Sequence, residues 1–147
     1  MSSEYDILKL DNQLCFPLYA VSKEIVRHYK PFLDEMDLTY TQYIAMMVMW
    51  EQKELSVKQL GEFLYLDSGT LTPLLKTMEK KGWVTRKRSE KDERVLTVTI
   101  TEAGEKLREK AITVPNKIAE CINITAEEAM QLYTILHKIL VNIYVVN

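Results

Sequence analysis

The sequence predicts a mainly α-helical fold that carries one small β-hairpin. Two short helical patterns follow each other between Ser56 and Gly82, each with one apolar stripe at spacings of three and four residues. After Gly82 the apolar period changes to two, which indicates two strands that end near Ile100. Longer helical patterns lie on both sides of this segment. Two angled helices followed by a hairpin are typical of a winged helix-turn-helix, a fold that reads duplex DNA.

The first long helix is predicted over residues 7–33, because apolar residues recur there at helical spacing. Asp11 is a candidate N-cap, and Pro31 is expected to close the helix. Pro17 fits only in a first turn, since further inside its ring would block a backbone hydrogen bond. The sequence therefore predicts that the helix either starts after Asp11 or bends at Pro17. Cys15 lies near a helix N-terminus under both alternatives.

Capping residues predict where the later helices begin. Three pairs have the spacing of a capping box, in which a hydroxyl residue is followed three positions later by Gln or Glu: Thr39 with Gln42, Ser56 with Gln59, and Thr125 with Glu128. Asp67 or Ser68 can cap the fourth helix, which should end just before Gly82. Thr101 begins a fifth helical pattern, and Pro115 is expected to kink or break it.

The final helix carries a broad apolar stripe that extends almost to the end of the chain. Its members are Leu132, Ile135, Leu136, Ile139, Leu140 and Ile143. Such a stripe either packs on the first helix of the same chain or forms a subunit interface. We favour the interface, because proteins that read two DNA half-sites usually dimerise. The sequence therefore predicts a homodimer.

Charge is distributed unevenly along the chain. The whole chain has 19 Lys and Arg against 21 Asp and Glu, a net charge of −2. The segment from Lys76 to Arg94 contains eight basic and four acidic residues, a net of +4, which leaves −6 for the remainder. A solvated helix end and hairpin could carry such charge in any domain. Because the charge coincides with the predicted hairpin, it favours a localised phosphate-binding face.

Length and composition exclude several classes of protein. A chain of 147 residues suits one domain, and it contains no run of about 18 apolar residues that would span a membrane. The acidic N-terminus lacks a secretory signal, and two cysteines are too few for a disulfide framework, so a cytoplasmic location is expected. The sequence has no metal-ligand spacing and no nucleotide-binding or nucleophile-turn motif. We therefore expect no metal, no cofactor and no enzyme.

Four stretches of the chain identify a family. They are NQLCFPLYA (12–20), YKPFLDEMDLTYTQY (29–43), LYLDSGTLTPLLKTMEKKGWVTRKRS (64–89) and KDERVLTVTITEAG (91–104). Together they resemble the MarR family of bacterial winged-helix regulators and, within it, the organic-hydroperoxide-sensing branch, OhrR. LDSGTLTPLLK is specific to this branch, whereas DER at the wing tip belongs to the wider family. The resemblance covers nearly the whole chain and weakens after about residue 110.

The resemblance implies a single domain, residues 1–147, with a winged core at about 40–100. The helices at about 7–33 and 101–146 are then the dimerisation region. It also implies residues that face the major groove, namely Ser68, Thr70 and Thr72. Arg94 resembles the arginine that enters the minor groove, and Asp92 the acidic residue that braces it. Charge adds candidate phosphate partners, namely Lys76, Lys80, Arg86 and Lys91.

In the redox branch a cysteine of the first helix is the peroxide sensor, and Cys15 occupies that position. Tyr29 and Tyr40 resemble the tyrosines that hydrogen-bond the sensor across the dimer, with Tyr19 nearby. A thiolate reacts with a peroxide to give a sulfenic acid, which a second thiol can convert to a disulfide. Cys121 lies near the position where two-cysteine members keep a resolving thiol on the opposite subunit. Its alternative interpretation is a small buried apolar residue.

Three functions follow as hypotheses. The leading one is a transcriptional regulator that binds double-stranded DNA, most simply a repressor released when an organic hydroperoxide oxidises Cys15. The second is a MarR-type regulator released by a small phenolic ligand in the dimer cleft. The third, from a different class, is a thiol peroxidase, which would have little use for a basic wing.

Overall fold

The predicted class, mainly α with a small β wing, is confirmed. The computed structural model describes the backbone of residues 1–146 and the side chains of residues 1–144. The helices are α1 (Cys15–Asp34), α2 (Tyr40–Gln52), α3 (Val57–Leu64), α4 (Ser68–Lys80), α5 (Glu102–Ala111), α6 (Val114–Ile122) and α7 (Ala126–Val146). The strands are β1 (Glu54–Ser56), β2 (Val84–Arg88) and β3 (Leu96–Ile100). Met1–Val114 form one compact unit, and the residues from Pro115 onward form a second. The last predicted domain residue, Asn147, lies outside the described residues.

The first helix begins and ends later than the pattern predicted. Two short 3₁₀ turns, Glu4–Leu8 and Leu10–Asn12, precede α1, so Asp11 is not its N-cap. Pro17 is the third residue of α1, a first-turn position where no helical hydrogen bond is lost. The prediction that Pro31 closes the helix is wrong, because α1 continues to Asp34. Pro31 is exposed, so water can replace the lost bond, while the next turn buries Leu33 to 1% exposure.

The predicted caps are present as hydrogen bonds. In the capping box of α2, the Gln42 N–H donates to Thr39 Oγ1 at 3.2 Å, and the Thr39 N–H donates to Gln42 Oε1 at 3.0 Å. The same reciprocal pair opens α3 and α7. At α4, Asp67 rather than Ser68 is the cap, since its Oδ1 accepts from the Thr70 N–H at 2.8 Å. Gly82 follows the end of α4 at φ +87°, the left-handed conformation expected at C′.

The wing contains one strand more than the sequence indicated. β1 pairs antiparallel with β3, so the sheet has the order β1-β3-β2 instead of two strands. Three residues are too few to establish a period of two, which is why the sequence did not predict β1. Val98 on β3 faces Leu55 of β1 and Arg86 of β2. Val84 and Val98 are buried, so one face of the sheet closes the core.

The core of the first unit lies between α1–α4 and the inner face of the sheet. Its fully buried members, each at most 1% exposed, are Leu33, Ala45, Met46, Met49, Leu60, Leu71, Leu75, Met78, Val84 and Val98. Gly61 allows α3 and α4 to meet closely, because a Cβ there would lie 2.6 Å from the Leu66 carbonyl oxygen and 2.9 Å from Leu71 Cδ1. The close approach of α3 and α4 therefore requires glycine, which has no side chain, at position 61.

The expected interruption near Pro115 is a break. α5 ends at Ala111 and α6 begins at Val114, so Pro115 is the second residue of a new helix, where proline is tolerated. Leu107 and Ala111 are buried, as their spacing predicted. Among the described residues, no helix is long and apolar enough to cross a bilayer.

Candidate functional site

Three tyrosine rings from two helices meet in the first unit. Tyr29 of α1 lies 4.9 Å from Tyr40 and 5.6 Å from Tyr43 of α2, measured between ring centroids. Tyr43 continues the contact to Trp50 at 6.4 Å, edge to face. The Trp50 indole N–H donates to the Gly104 carbonyl at 2.8 Å. The predicted pair of tyrosines is therefore part of an aromatic cluster that extends along α2 to the start of α5.

The environment of this cluster keeps its phenols protonated. Burial raises the pKa of Tyr29 to about 12, and the neighbouring Tyr40 and Tyr43 add to the shift. Burial also raises the pKa of Tyr40 and of Tyr43. Each phenol is thus available as a hydrogen-bond donor at neutral pH. Sequence reasoning missed Tyr43, although its position three residues after Tyr40 placed both on one face of α2.

Cys15 lies far from the tyrosine cluster of its own chain. It is exposed and is the first residue of α1, and Tyr29 follows fourteen positions later on the same helix. At a rise of 1.5 Å per residue this is a separation of about 21 Å along the axis. Tyr19, one turn after Cys15, is 65% exposed and carries Lys23 Nζ 5.7 Å from its ring centroid. One chain therefore does not bring Cys15 and Tyr29 together.

Cys121 belongs to the second unit and is exposed near the end of α6. A single chain therefore does not bury Cys121. In the described part of the chain, no three His, Cys, Asp or Glu side chains are placed to hold a metal ion.

The helix α4 buries one face and presents the rest to solvent. Its buried residues are Leu71, Leu75 and Met78. All five of its predicted DNA-facing residues are exposed: Ser68, Thr70, Thr72, Lys76 and Lys80. At 100° per residue, the exposed Gly69, Pro73 and Lys80 lie opposite the buried face. Of these three, only Lys80 was a sequence-predicted phosphate partner; Gly69 and Pro73 were not predicted, although the helical period gives their orientation.

The wing tip holds its arginine in a fixed geometry. Arg94 is 91% exposed, and its guanidinium makes two contacts with Asp92, Nε to Oδ1 at 3.1 Å and Nη2 to Oδ2 at 3.3 Å. Hydrogen bonds from the Arg94 side chain and then its backbone N–H lower the pKa of the Asp92 carboxyl. Lys91 is exposed in the same loop. The tip therefore presents an ordered guanidinium to solvent.

Arg86 lies on the inner face of the wing, beside the core. Its side chain is only 17% exposed, its Nη2 lies 3.2 Å from Glu79 Oε1, and its buried Nε has no hydrogen-bond partner. Its backbone N–H also donates to Glu79 Oε2 at 2.8 Å. Arg86 thus fastens β2 to α4, while the next residue, Lys87, is exposed on the outer face. Sequence reasoning missed Lys87, although alternation from the buried Val84 predicts it.

This arrangement of helices, sheet and exposed basic side chains defines a winged helix-turn-helix transcriptional regulator. The sequence profile of the family described as transcriptional regulator SarA/Rot matches residues 27–111. A relative, the organic hydroperoxide resistance transcriptional regulator of Bacillus subtilis, is 49% identical over 140 residues, which are 95% of each chain.

Two solved structures of AbfR, a protein of Staphylococcus epidermidis, also match. Reduced AbfR bound to DNA has a TM-score of 0.78 and 32% identity, covering 97% of this chain and 99% of that one. Disulfide-formed AbfR has a TM-score of 0.62 and 32% identity, covering 97% and 96%. The chain belongs to the MarR family of winged-helix transcriptional regulators, in the branch of the organic-hydroperoxide regulators. The prediction that it is not an enzyme agrees with this family.

Proposed function

We propose that the protein is a cytoplasmic transcriptional repressor that leaves its operator when an organic hydroperoxide oxidises Cys15. Its similarity to the B. subtilis organic hydroperoxide resistance regulator over 95% of the chain supports this function. The exposed thiol at the start of α1 supports the role of Cys15, because a peroxide in solution can reach it.

The separation of Cys15 from Tyr29 is the observation that carries the proposal. Because about 21 Å of helix lies between them, the sensing site needs two copies of the chain. In the proposed homodimer, Cys15 of one copy approaches Tyr29 and Tyr40 of the other, with Tyr19 at the edge of the site. Protonated phenols then donate hydrogen bonds to the thiolate. The aromatic rings give the site an apolar wall that favours organic over inorganic peroxides.

The sensing reaction balances without a cofactor. The Cys15 thiolate attacks one peroxide oxygen, the O–O bond breaks, and the remaining alkoxide takes a proton and leaves as an alcohol. The sulfur becomes a sulfenic acid. Cys121 of the other copy, or a small thiol, then displaces water and forms a disulfide. The sulfenic acid or the disulfide replaces the thiolate that the phenols contacted. The two copies then shift relative to each other, and helix α4 of each copy, which lies in the major groove, loses its contacts with the DNA.

The DNA-binding surface is proposed to combine α4 and the wing. Major-groove contacts are assigned to Ser68, Thr70 and Thr72, and phosphate contacts to Lys76, Lys80 and Lys91. Arg94, braced by Asp92, enters the minor groove. Since Arg86 is largely enclosed, its contribution is mainly to hold β2 against α4, and Lys87 is better presented to a phosphate.

The residues at about 40–100 are the proposed DNA-binding core of a single MarR-type domain. The segments at about 7–33 and 101–146, which contain α1, α5, α6 and α7, are its proposed dimerisation region. A dimer would read a pseudo-palindromic operator with half-sites about 34 Å apart, one turn of the duplex.

The test is operator binding before and after oxidation. The reduced protein first selects its site from a random pool of duplexes, and its affinity is then measured with and without cumene hydroperoxide. We expect affinity to fall with the peroxide and to return with dithiothreitol. A protein that binds no duplex, or that binds equally well after treatment, would overturn the proposed function.

A further inference from the structure

The side chain of Lys81 connects three helices in the first unit. Lys81 follows the last residue of α4, and its Nζ donates to the Asp37 carbonyl oxygen and to Gln42 Oε1, the latter at 3.2 Å. The Asp37 carboxylate also lies 3.5 Å away, and the Lys81 side chain is 23% exposed. An ammonium has three protons, and three oxygens of the chain are in place around it. Lys81 is therefore bound to other parts of the chain and partly buried, unlike the exposed Lys80 beside it.

Both acceptors lie where the tyrosine-bearing helices meet. Asp37 has φ +54° and belongs to the turn after α1, which the Leu38 N–H closes by donating to the Leu33 carbonyl at 3.1 Å. Gln42 lies in the first turn of α2, between Tyr40 and Tyr43. Lys81 thus holds the end of α1 and the start of α2 together.

Gln42 is unusual in its burial and its bonding. It is 4% exposed, and among the described residues it is the one polar side chain buried in the core. Its Oε1 accepts from the Thr39 N–H at 3.0 Å as well as from Lys81, so both lone pairs are used. A buried amide that loses a partner is costly, which keeps these contacts together. The cap that fixes the start of α2 is therefore also the contact that fixes the end of α4.

We propose that Lys81 is a positioning residue that couples the state of the tyrosine cluster to the orientation of the recognition helix α4. The proposal rests on the proposed function, because it needs oxidation to move the tyrosines. α4 has 13 residues and is about 20 Å long. A rigid helix held at its C-terminal end transmits a small tilt to its other end, where Ser68 and Thr70 lie. The charged contact at Lys81 is thus placed to convert movement of Tyr40 into loss of groove contact.

The coupling is measured as a ratio of affinities. The ratio is the operator dissociation constant of the hydroperoxide-treated protein divided by that of the reduced protein. It is compared between the parent and Lys81→Met, which has a side chain of similar length but no charged donor. The matched control is Lys53→Met at the other end of α2. Lys53 also joins two elements, with Nζ 2.6 Å from Glu105 Oε1. We expect Lys81→Met to reduce the oxidised-to-reduced ratio about threefold or more, and Lys53→Met to keep the parent ratio.

Other roles of Lys81 give different results. If it only contacts a phosphate, both affinities fall together, the salt dependence becomes shallower and the ratio is unchanged. If it only supports the fold, urea stability falls and the ratio is again unchanged. Either result overturns the proposal. Lys81→Gln, which keeps a polar end, replaces Lys81→Met if that variant does not fold, and is expected to lower the ratio as well. A parent ratio of one overturns the proposed function itself, whereas a parent ratio above one that Lys81→Met retains overturns this inference alone.

Discussion

The rings of Tyr29 and Tyr40 lie 4.9 Å apart, although the two residues belong to different helices. Tyr29 is in the second half of α1, and Tyr40 is the first residue of α2. Their pKa values are raised by burial, so both hydroxyls are protonated donors at neutral pH. A site that binds a thiolate needs such donors, and Cys15 of the same chain is too distant to use them.

Removing these hydroxyls should slow sensing without weakening DNA binding. A hydrogen bond to a charged group contributes about 1.5–3 kcal/mol, so Tyr29→Phe and Tyr40→Phe should each lower the rate of Cys15 oxidation about tenfold or more. The rate is measured by stopped-flow mixing with cumene hydroperoxide. Tyr5→Phe, at an exposed tyrosine in the first 3₁₀ turn, is the control and should keep the parent rate. Equal rates in all three variants would remove the tyrosines from the sensing site.

Arg94→Ala should weaken operator binding and leave stability unchanged. The side chain is 91% exposed, so it contributes little packing, and a lost groove contact costs about 1–3 kcal/mol of binding free energy. Arg27→Ala is the matched control, because Arg27 is an exposed arginine of α1 paired with one glutamate. Anisotropy titrations of the two variants on one duplex compare them directly. An Arg94→Ala affinity equal to that of Arg27→Ala would exclude Arg94 from the readout.

The pair of Glu79 and Arg86 should make stability depend on pH in acid. Hydrogen bonds from the Arg86 backbone N–H and then its guanidinium lower the pKa of the Glu79 carboxyl below its usual 4.5. A carboxyl with a lowered pKa stabilises the fold above the unfolded pKa, and the stabilisation is lost as pH falls through the folded pKa. The unfolding free energy of the parent should therefore exceed that of Glu79→Gln at neutral pH, with the difference closing below about pH 4.5. Urea titrations at several pH values measure it, and a difference independent of pH would contradict the ionic contact.

The protein should be a homodimer at micromolar concentration. Leu132, Ile135 and Ile143 of α7 are each 45–56% exposed, and burial of such side chains drives association. Sedimentation velocity measures the state directly. Ile135→Lys should shift it toward monomer and weaken operator binding, since both half-sites must engage together. A parent monomer with full operator affinity would contradict the two-copy sensing site.

Much of the fold was predictable because local signals agreed with the tertiary structure. The three capping boxes depend only on residues three apart, and each is present. The position of Pro17 in the first turn follows from its missing N–H. By contrast, β1 has three residues and exists only through its pairing with β3, which a local pattern does not contain. The prediction that Pro31 ends α1 failed for a similar reason, because the burial of Leu33 outweighs the hydrogen bond lost at the proline.

The candidate site was less predictable where it depends on packing. Arg86 was expected to contact phosphate because of its charge, but its position opposite Val98 turns it toward Glu79. The bond between Lys81 and Gln42 joins residues 39 positions apart, and no spacing rule reaches that far. The family resemblance predicted Tyr29 and Tyr40 but not Tyr43, and the distance of the cluster from Cys15 required the continuous helix α1.

Replacing Cys15 by serine tests the central claim most directly. Serine keeps the size and the polar end of the side chain but does not react with peroxides as a thiolate does. Cys15→Ser should bind the operator as the parent does and should stay bound at hydroperoxide doses that release the parent, whereas Cys121→Ser should still respond, though without an intersubunit disulfide. Release of Cys15→Ser at the parent's dose would contradict the redox mechanism and favour a regulator released by a small phenolic ligand.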